Sequence, residues 1–193
     1  MGLLDPDRYF ARVTRISVRD DIVDAGISHV LIDMDNTLVS RATGEMPRDV
    51  GVWLGQVRDA GVTVCLLSNN WHAKPYEFAE ELNLPVVAKA CKPLPHGFLM
   101  ARQRVGARST STVVIGDQLA TDVLGAHMLG MKAYLVCPLA EQDVASTLFM
   151  RHFERALLGS RIPEGASCVA EAHVQEVVQA HSSVANQTGK AGL

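Results

Sequence analysis

No apolar run in this chain approaches the roughly 20 residues that a membrane-spanning helix needs. The first residues include Asp5 and Asp7 and no long apolar segment, so a secretory signal is not expected. Position 6 is Pro6 rather than Ser or Thr, and the myristoylation pattern that begins at Gly2 therefore fails. Cys65, Cys91, Cys137 and Cys168 are widely spaced and contain no C-x-x-C pair, which argues against a disulfide framework and for a reducing compartment. Cys65 and Cys137 fall in apolar runs and are expected to be buried free thiols. No two of the seven histidines have metal-site spacing. A net charge of −3 supplies no general cationic field, so no nucleic acid partner is expected. Internal repeats and low-complexity blocks are also missing.

What remains is a chain of 193 residues, 48% hydrophobic, long enough for one sizeable core. From Gly26 to Pro138 short β-rich runs alternate with helical ones. Strands are expected at Val30–Ile32, Val62–Leu67, Val86–Ala88, Thr112–Ile115 and Ala133–Val136. Helices are expected at Arg48–Ala60, Pro75–Leu82, Pro95–Val105 and Leu119–Leu129, with Pro75 and Pro95 in first turns and Gly61, Gly106 and Gly130 just past helix ends. Such alternation implies parallel β-α-β units in an open α/β sheet, whose ligands bind outside the carboxyl ends of the strands.

Polar residues with usable chemistry stand at those ends. Val30-Leu31-Ile32 leads into Asp33-Met34-Asp35-Asn36-Thr37-Leu38-Val39. Two carboxylates two residues apart at the mouth of a strand suit phosphoryl transfer through an aspartate: one attacks phosphorus and the other handles the proton of the leaving group. A divalent cation is needed as well, because a carboxylate repels a phosphate dianion. Alone, the pair also fits a turn with helix-capping residues. The later strands narrow the choice: Val62–Leu67 ends in Ser68-Asn69-Asn70, Val86–Ala88 precedes Lys89 and Lys92-Pro93, and Thr112–Ile115 ends in Gly116-Asp117 with Asp122 beyond.

These residues, in this order, resemble the four motifs of the haloacid dehalogenase superfamily, and more closely its YqeG-type branch, over roughly residues 4 to 155. The resemblance implies a three-layer Rossmann-like sheet of about five strands without a cap domain. It implies that Asp33 is the nucleophile and Asp35 the general acid and base; a carboxylate at Asp35 separates the phosphatases from the dehalogenases of the same fold. It implies Mg²⁺ held by the Asp33 carboxylate, the Asp35 backbone carbonyl and the Asp117 carboxylate. Ser68 and Asn69 would donate to the transferring phosphoryl group, Lys92 would neutralise its charge, and Thr37 would complete the phosphate-binding set through the first loop. Asp122 either supports Lys92 or the metal shell or faces the dipole of its own helix. Lys89 is expected to be solvated.

The intervals from Asp33 to Ser68 and from Ser68 to Lys92 each hold one helix and one strand, leaving no room for a cap. An open site favours phosphate on large or surface-bound substrates. The branch is implicated in dephosphorylating phosphatidylglycerophosphate, which implies a phospholipid headgroup as partner and a cytoplasmic protein, peripheral at the inner face of a membrane. A soluble sugar phosphate or a nucleic-acid end stays open as the substrate. A receiver-type domain would carry its phosphoacceptor Asp after Val62–Leu67, where Ser-Asn-Asn stands, and a non-catalytic scaffold would not need all of Asp33, Asp35, Lys92 and Asp117.

Residues 1–160 are expected to form the phosphatase domain with an N-terminal lead-in, and 161–193 an extension that is partly helical and then frayed. Within Val144–Leu158, Leu148, Phe149, Phe153 and Leu157 repeat at helical spacing while Arg151, Glu154 and Arg155 take another face. Packing of that stripe on its own domain is favoured over a helix lying on anionic lipid. A further short helix is expected at Ser167–Ala180.

Overall fold

A computed structural model of the chain describes residues 2–139, 158 and 161–166. The helices expected within 144–158 and 167–180 and the tail from 182 lie outside the described residues, apart from Leu158.

Among the described residues six parallel strands form one sheet in the order β1-β6-β5-β2-β3-β4. They are β1 (Arg8–Phe10), β2 (His29–Ile32), β3 (Thr63–Leu67), β4 (Val86–Val87), β5 (Thr112–Gly116) and β6 (Lys132–Val136). All five expected strands are present, with ends shifted by one residue at most: Val62 and Ala88 fall outside, and His29, Gly116 and Lys132 fall inside. The sixth is an addition. β1 has three residues and pairs with β6 at the sheet edge, from Arg8 opposite Tyr134 to Phe10 opposite Val136. Its Arg-Tyr-Phe sequence has no run or alternation long enough to mark a strand.

Strand residues alternate between two apolar layers, as period-2 geometry requires. Val30, Ile32, Val64, Leu66, Val113 and Ile115 face one cluster, while Leu31, Cys65, Leu67, Val114, Ala133 and Leu135 face the other. Helix α1 (Arg48–Asp59) covers the first face with Val50, Trp53, Leu54 and Val57, an i, i+3, i+4, i+7 stripe. The Trp53 indole N–H donates to the Ile16 carbonyl at 2.9 Å and pins the helix to the N-terminal lead-in. Helix α2 (Lys74–Leu82) adds Ala79 to the same face. Helix α3 (Pro95–Val105) and helix α4 (Leu124–Met128) cover the opposite face through Phe98, Ala101 and Ala126. Helix α3 ends on Gly106 at φ 66, the left-handed conformation anticipated there.

The fourth expected helix is divided. Leu119–Val123 is a π-helical turn, and the α-helix begins only at Leu124. The wide turn brings Asp122 back towards its own start, where the Gln118 N–H donates to Asp122 Oδ2 at 3.3 Å. Turns of this kind often sit at functional sites. Cys65 is buried as expected, whereas Cys137 lies just past β6, is only half-buried and sits 3.2 Å from the Tyr9 hydroxyl. The loop at residues 33–47 and α1 link β2 to β3, and α2 and β4 link β3 to Lys92, so no cap interrupts the described residues.

Gly125 lets α4 approach α3 closely. A Cβ there would lie 2.2 Å from the Phe98 ring. Ala gains about 1 kcal/mol over Gly in a helix, but overpacking costs about 1–3 kcal/mol. We expect Gly125→Ala to lower stability in urea denaturation and Phe98→Leu in that background to restore part of the loss. Equal or greater stability of Gly125→Ala alone would contradict this close packing of Phe98 on Gly125.

Candidate active site

The chain winds from β2 through β3 to β4 on one side, then returns to β5 and β6 on the other. Strand order therefore reverses between β2 and β5, where doubly wound sheets place their ligands. Asp33 follows β2 and Asp117 follows β5. The two ends are held together by the Asp33 N–H, which donates to the Ile115 carbonyl at 2.9 Å.

Lys92 is the centre of the site. Its buried ammonium donates to Asp33 Oδ1 at 2.5 Å and to Asp122 Oδ1 at 2.7 Å. Burial works against that charge, but Asp122 and Asp33 together outweigh it and hold the amine protonated, with its pKa raised. Burial also pushes the Asp33 carboxyl up to about 7; Lys92 opposes the rise, and Asp122 and Asp35 add to it. Asp122 is fixed in turn by the Thr121 hydroxyl, 3.2 Å from Oδ2. It reaches this position because Gly116 has no side chain: a Cβ there would lie 2.3 Å from the Asp122 carboxyl carbon.

Asn69 positions the Lys92 backbone. The Lys92 N–H donates to Asn69 Oδ1 at 2.6 Å, and Asn69 Nδ2 donates to the Lys92 carbonyl at 3.1 Å. The side chain expected on the phosphoryl group is thus engaged with the lysine loop, which leaves one amide N–H for a ligand. Ser68 is buried, and its oxygen accepts from the Asn70 N–H at 3.1 Å while its own proton stays available to donate.

The first loop is a closed turn. Asn36, at φ 64, donates its N–H to the Val39 carbonyl at 2.7 Å, and Val39 and Leu38 both donate to the Met34 carbonyl. Asp35 is half-buried and lines the cavity beside Asp33. The Thr37 hydroxyl is buried without a hydrogen bond among the described residues.

Asp117 Oδ1 is buried and likewise has no hydrogen-bond partner. Its pKa is raised well above the usual range, first by burial and then by repulsion from Asp33 and Asp122. A buried carboxylate beside two others, with an unsatisfied oxygen, suits a hard cation. Among the described residues no three His, Cys, Asp or Glu side chains gather as a metal-binding group. The set that the family resemblance implies, two carboxylates and a backbone carbonyl, does not require a third side chain.

Of these groups, Asp33, Asp35, Asn69 and Lys92 line a cavity of about 670 Å³, while Thr37, Ser68, Asp117 and Asp122 are buried and are not part of its lining. Asp33, Asp35 and Arg41 line it from the first loop, Asn69, Asn70, Trp71, His72 and Lys74 from the second, and Lys92, Gln118 and Thr121 from the other two. Arg41, Trp71, His72 and Lys74 were not legible as site residues. Their one signal is position, directly beyond the Asp-x-Asp and Ser-Asn-Asn segments. Lys89 is exposed, as expected, and its ammonium lies 5.5 Å from the centre of the Trp71 ring.

The chain is similar in sequence to known phosphatases. A family described as HAD-hydrolase-like matches residues 90–137. The chain is 32% identical over 155 residues to a Bacillus subtilis protein named "Probable phosphatase YqeG", covering 80% of this chain and 90% of that one. It is 33% identical over 116 residues to the human phospholysine phosphohistidine inorganic pyrophosphate phosphatase, covering 60% of this chain and 41% of that protein. Among solved structures, the cobalt-bound deoxy-D-mannose-octulosonate 8-phosphate phosphatase of Haemophilus influenzae matches with a TM-score of 0.47 and 15% identity, over 69% of this chain and 88% of that one. With nine-tenths of the Bacillus protein matched at this identity, the chain belongs to the YqeG-type branch of the haloacid dehalogenase superfamily and is a phosphatase.

Proposed function

We propose that the protein is a Mg²⁺-dependent phosphomonoesterase that works through an aspartyl-phosphate on Asp33 and acts on phosphatidylglycerophosphate. The observation that carries the chemistry is Lys92, buried between Asp33 and Asp122 and next to the unsatisfied carboxylate of Asp117. In the first step an Asp33 carboxylate oxygen attacks phosphorus, the ester P–O bond breaks, and Asp35 gives its proton to the departing alkoxide. In the second, Asp35 takes a proton from water as that water attacks the same phosphorus. The bond to Asp33 breaks and inorganic phosphate leaves. Lys92 balances charge on the phosphoryl oxygens in both steps, and Asp122 and Asn69 hold it in place. Ser68 and the free N–H of Asn69 donate to the phosphoryl group, and Thr37 keeps a hydroxyl in reserve for it. Mg²⁺ held by the carboxylates of Asp33 and Asp117 and the carbonyl of Asp35 would supply charge neutralisation for the incoming phosphate.

The lipid assignment draws on the mouth of the cavity. Trp71 is 65% exposed there, with Lys89 over its ring and Arg41 and Lys74 in the same lining. An indole that is apolar at one end and wet at the other, among cations, suits the interface of an anionic lipid surface.

Three outcomes test this reading. Asp33→Asn should fold, lose turnover by at least a thousandfold and no longer be trapped by beryllium fluoride; appreciable turnover, with deamidation excluded by mass spectrometry, removes Asp33 as nucleophile. Millimolar Mg²⁺ should raise the melting temperature of the wild type by a few degrees, at about 2–4 °C per kcal/mol for a chain of this size. Asp117→Asn should lose that response, because it removes a carboxylate that would hold the cation. A wild type indifferent to Mg²⁺ in both melting and activity would rule out the metal site. Finally, kcat/KM for phosphatidylglycerophosphate in vesicles should exceed that for soluble sugar phosphates by at least a hundredfold, and Trp71→Ala should reduce the vesicle reaction more than the soluble one. An equal or better soluble ester would end the lipid assignment and leave the phosphatase chemistry standing.

A further inference from the structure

The cavity extends beyond the groups that the hydrolytic steps use. At about 670 Å³ it falls among pockets that enclose whole small molecules, ~300–1,000 Å³, and one phosphoryl group fills only a part of it. Lys92 is already matched by Asp33 and Asp122. Two more cations, Arg41 and Lys74, line the remaining space.

The surroundings fix the backbone of Arg41, whose side chain is exposed, and the ammonium of Lys74. The Arg41 N–H donates to Asn36 Oδ1 at 3.1 Å, which ties the start of the 40–45 loop to the turn carrying Asp33 and Asp35. That loop closes on itself through Ser40 N–H to the Glu45 carbonyl at 3.0 Å and Gly44 N–H to the Ser40 carbonyl at 2.8 Å. Lys74 comes from the other side of the sequence gap, at the first position of α2. Its Nζ lies 3.3 Å from where a Gly44 Cβ would stand, so the ammonium rests against the loop that carries Arg41. Lys74 is half-buried, and no carboxylate among the described residues pairs with it. Arg41 is also close enough for its charge to lower the pKa of Asp117 against the larger effects that raise it. Holding a lysine side chain costs rotamer freedom, and an ammonium that lines a cavity without a counter-charge among the described residues is suited to an anion that arrives with the ligand.

We propose that Arg41 and Lys74 form a second anion subsite, which selects substrates with a further phosphate group, a monoester or a diester, on the alcohol that leaves. The subsite rests on the phosphatase reading of the same cavity but not on any lipid surface. Arg41 supplies a planar fork of donors and Lys74 a point charge, a pairing suited to phosphate oxygens. Such binding energy is remote from the reacting bond and would compensate for the missing cap.

The test separates binding from chemistry. In the Asp33→Asn background with Mg²⁺ present, calorimetry compares glycerol 1,3-bisphosphate with glycerol 3-phosphate. The bisphosphate should bind at least tenfold tighter, and the difference should shrink with added salt. Lys74→Met and Arg41→Met, each checked by circular dichroism, should each cut that ratio threefold or more, and together bring it close to one. In otherwise wild-type protein the same substitutions should lower the ratio of kcat/KM for the two esters. Equal affinity for both esters, including none for either, overturns the subsite, as does a loss in the variants that is the same for both. A third arm presents phosphatidylglycerophosphate in vesicles. If the bisphosphate preference holds and the lipid is not hydrolysed, the subsite stands with a soluble substrate and the lipid assignment falls.

Discussion

A single ammonium organises the site. Lys92 lies between Asp33 and Asp122 with almost no exposure, and three segments distant in sequence meet on it: the end of β2, the loop after β4 and the turn after β5. Removing one partner from such a buried set typically costs about 3–5 kcal/mol, because the remaining charge is stranded. Neighbouring residues reflect that constraint. Asn69 grips the Lys92 backbone on both its N–H and its carbonyl, and the bare Cα of Gly116 admits the Asp122 carboxyl. The π-helical turn at Leu119–Val123 gives Asp122 its approach.

Three buried carboxyl groups, Asp33, Asp117 and Asp122, share one buried lysine; burial and mutual repulsion raise the pKa of Asp33 and Asp117, and Asp117 keeps an oxygen with no hydrogen-bond partner among the described residues. An imbalance of this kind destabilises a closed apolar interior, yet here it lies at the carboxyl edge of a sheet whose two faces are packed with aliphatic side chains. The packed layers hold the strand ends rigidly, so the repulsion is borne by the site and is available to a cation. Stability made on the sheet faces thus supports electrostatic strain at its rim.

Beyond this centre the site is built on loops. Arg41, Trp71, His72 and Lys74 come from segments that follow the strand-end residues, and together they give the open cavity a cationic and aromatic mouth. Chemistry on strand ends and recognition on loops is a common division in α/β enzymes, because loops can vary without disturbing the core.

Much of this was open to reading in the sequence. The apolar runs at Val30–Ile32, Val62–Leu67 and Thr112–Ile115 are buried strands because continuous aliphatic sequence is what a sheet covered on both faces requires. The order of Asp33, Asp35, Ser68, Lys92, Asp117 and Asp122 was legible because each follows such a run. The sequence by itself determined the strand-helix alternation, the two-sided core and the residues available at the strand ends. Only the tertiary structure decided which of them touch. Strand β1 exists because β6 offers an edge to three residues without a pattern of their own. A π-helical turn and an α-helical one have the same apolar spacing over five residues, so the position of Asp122 depends on the charge it meets. The meeting of Arg41 with Lys74 comes from a loop path set by hydrogen bonds at Asn36, Ser40 and Gly44. Periodicity records which face a residue turns to the core; distances between loops depend on contacts that no local pattern encodes.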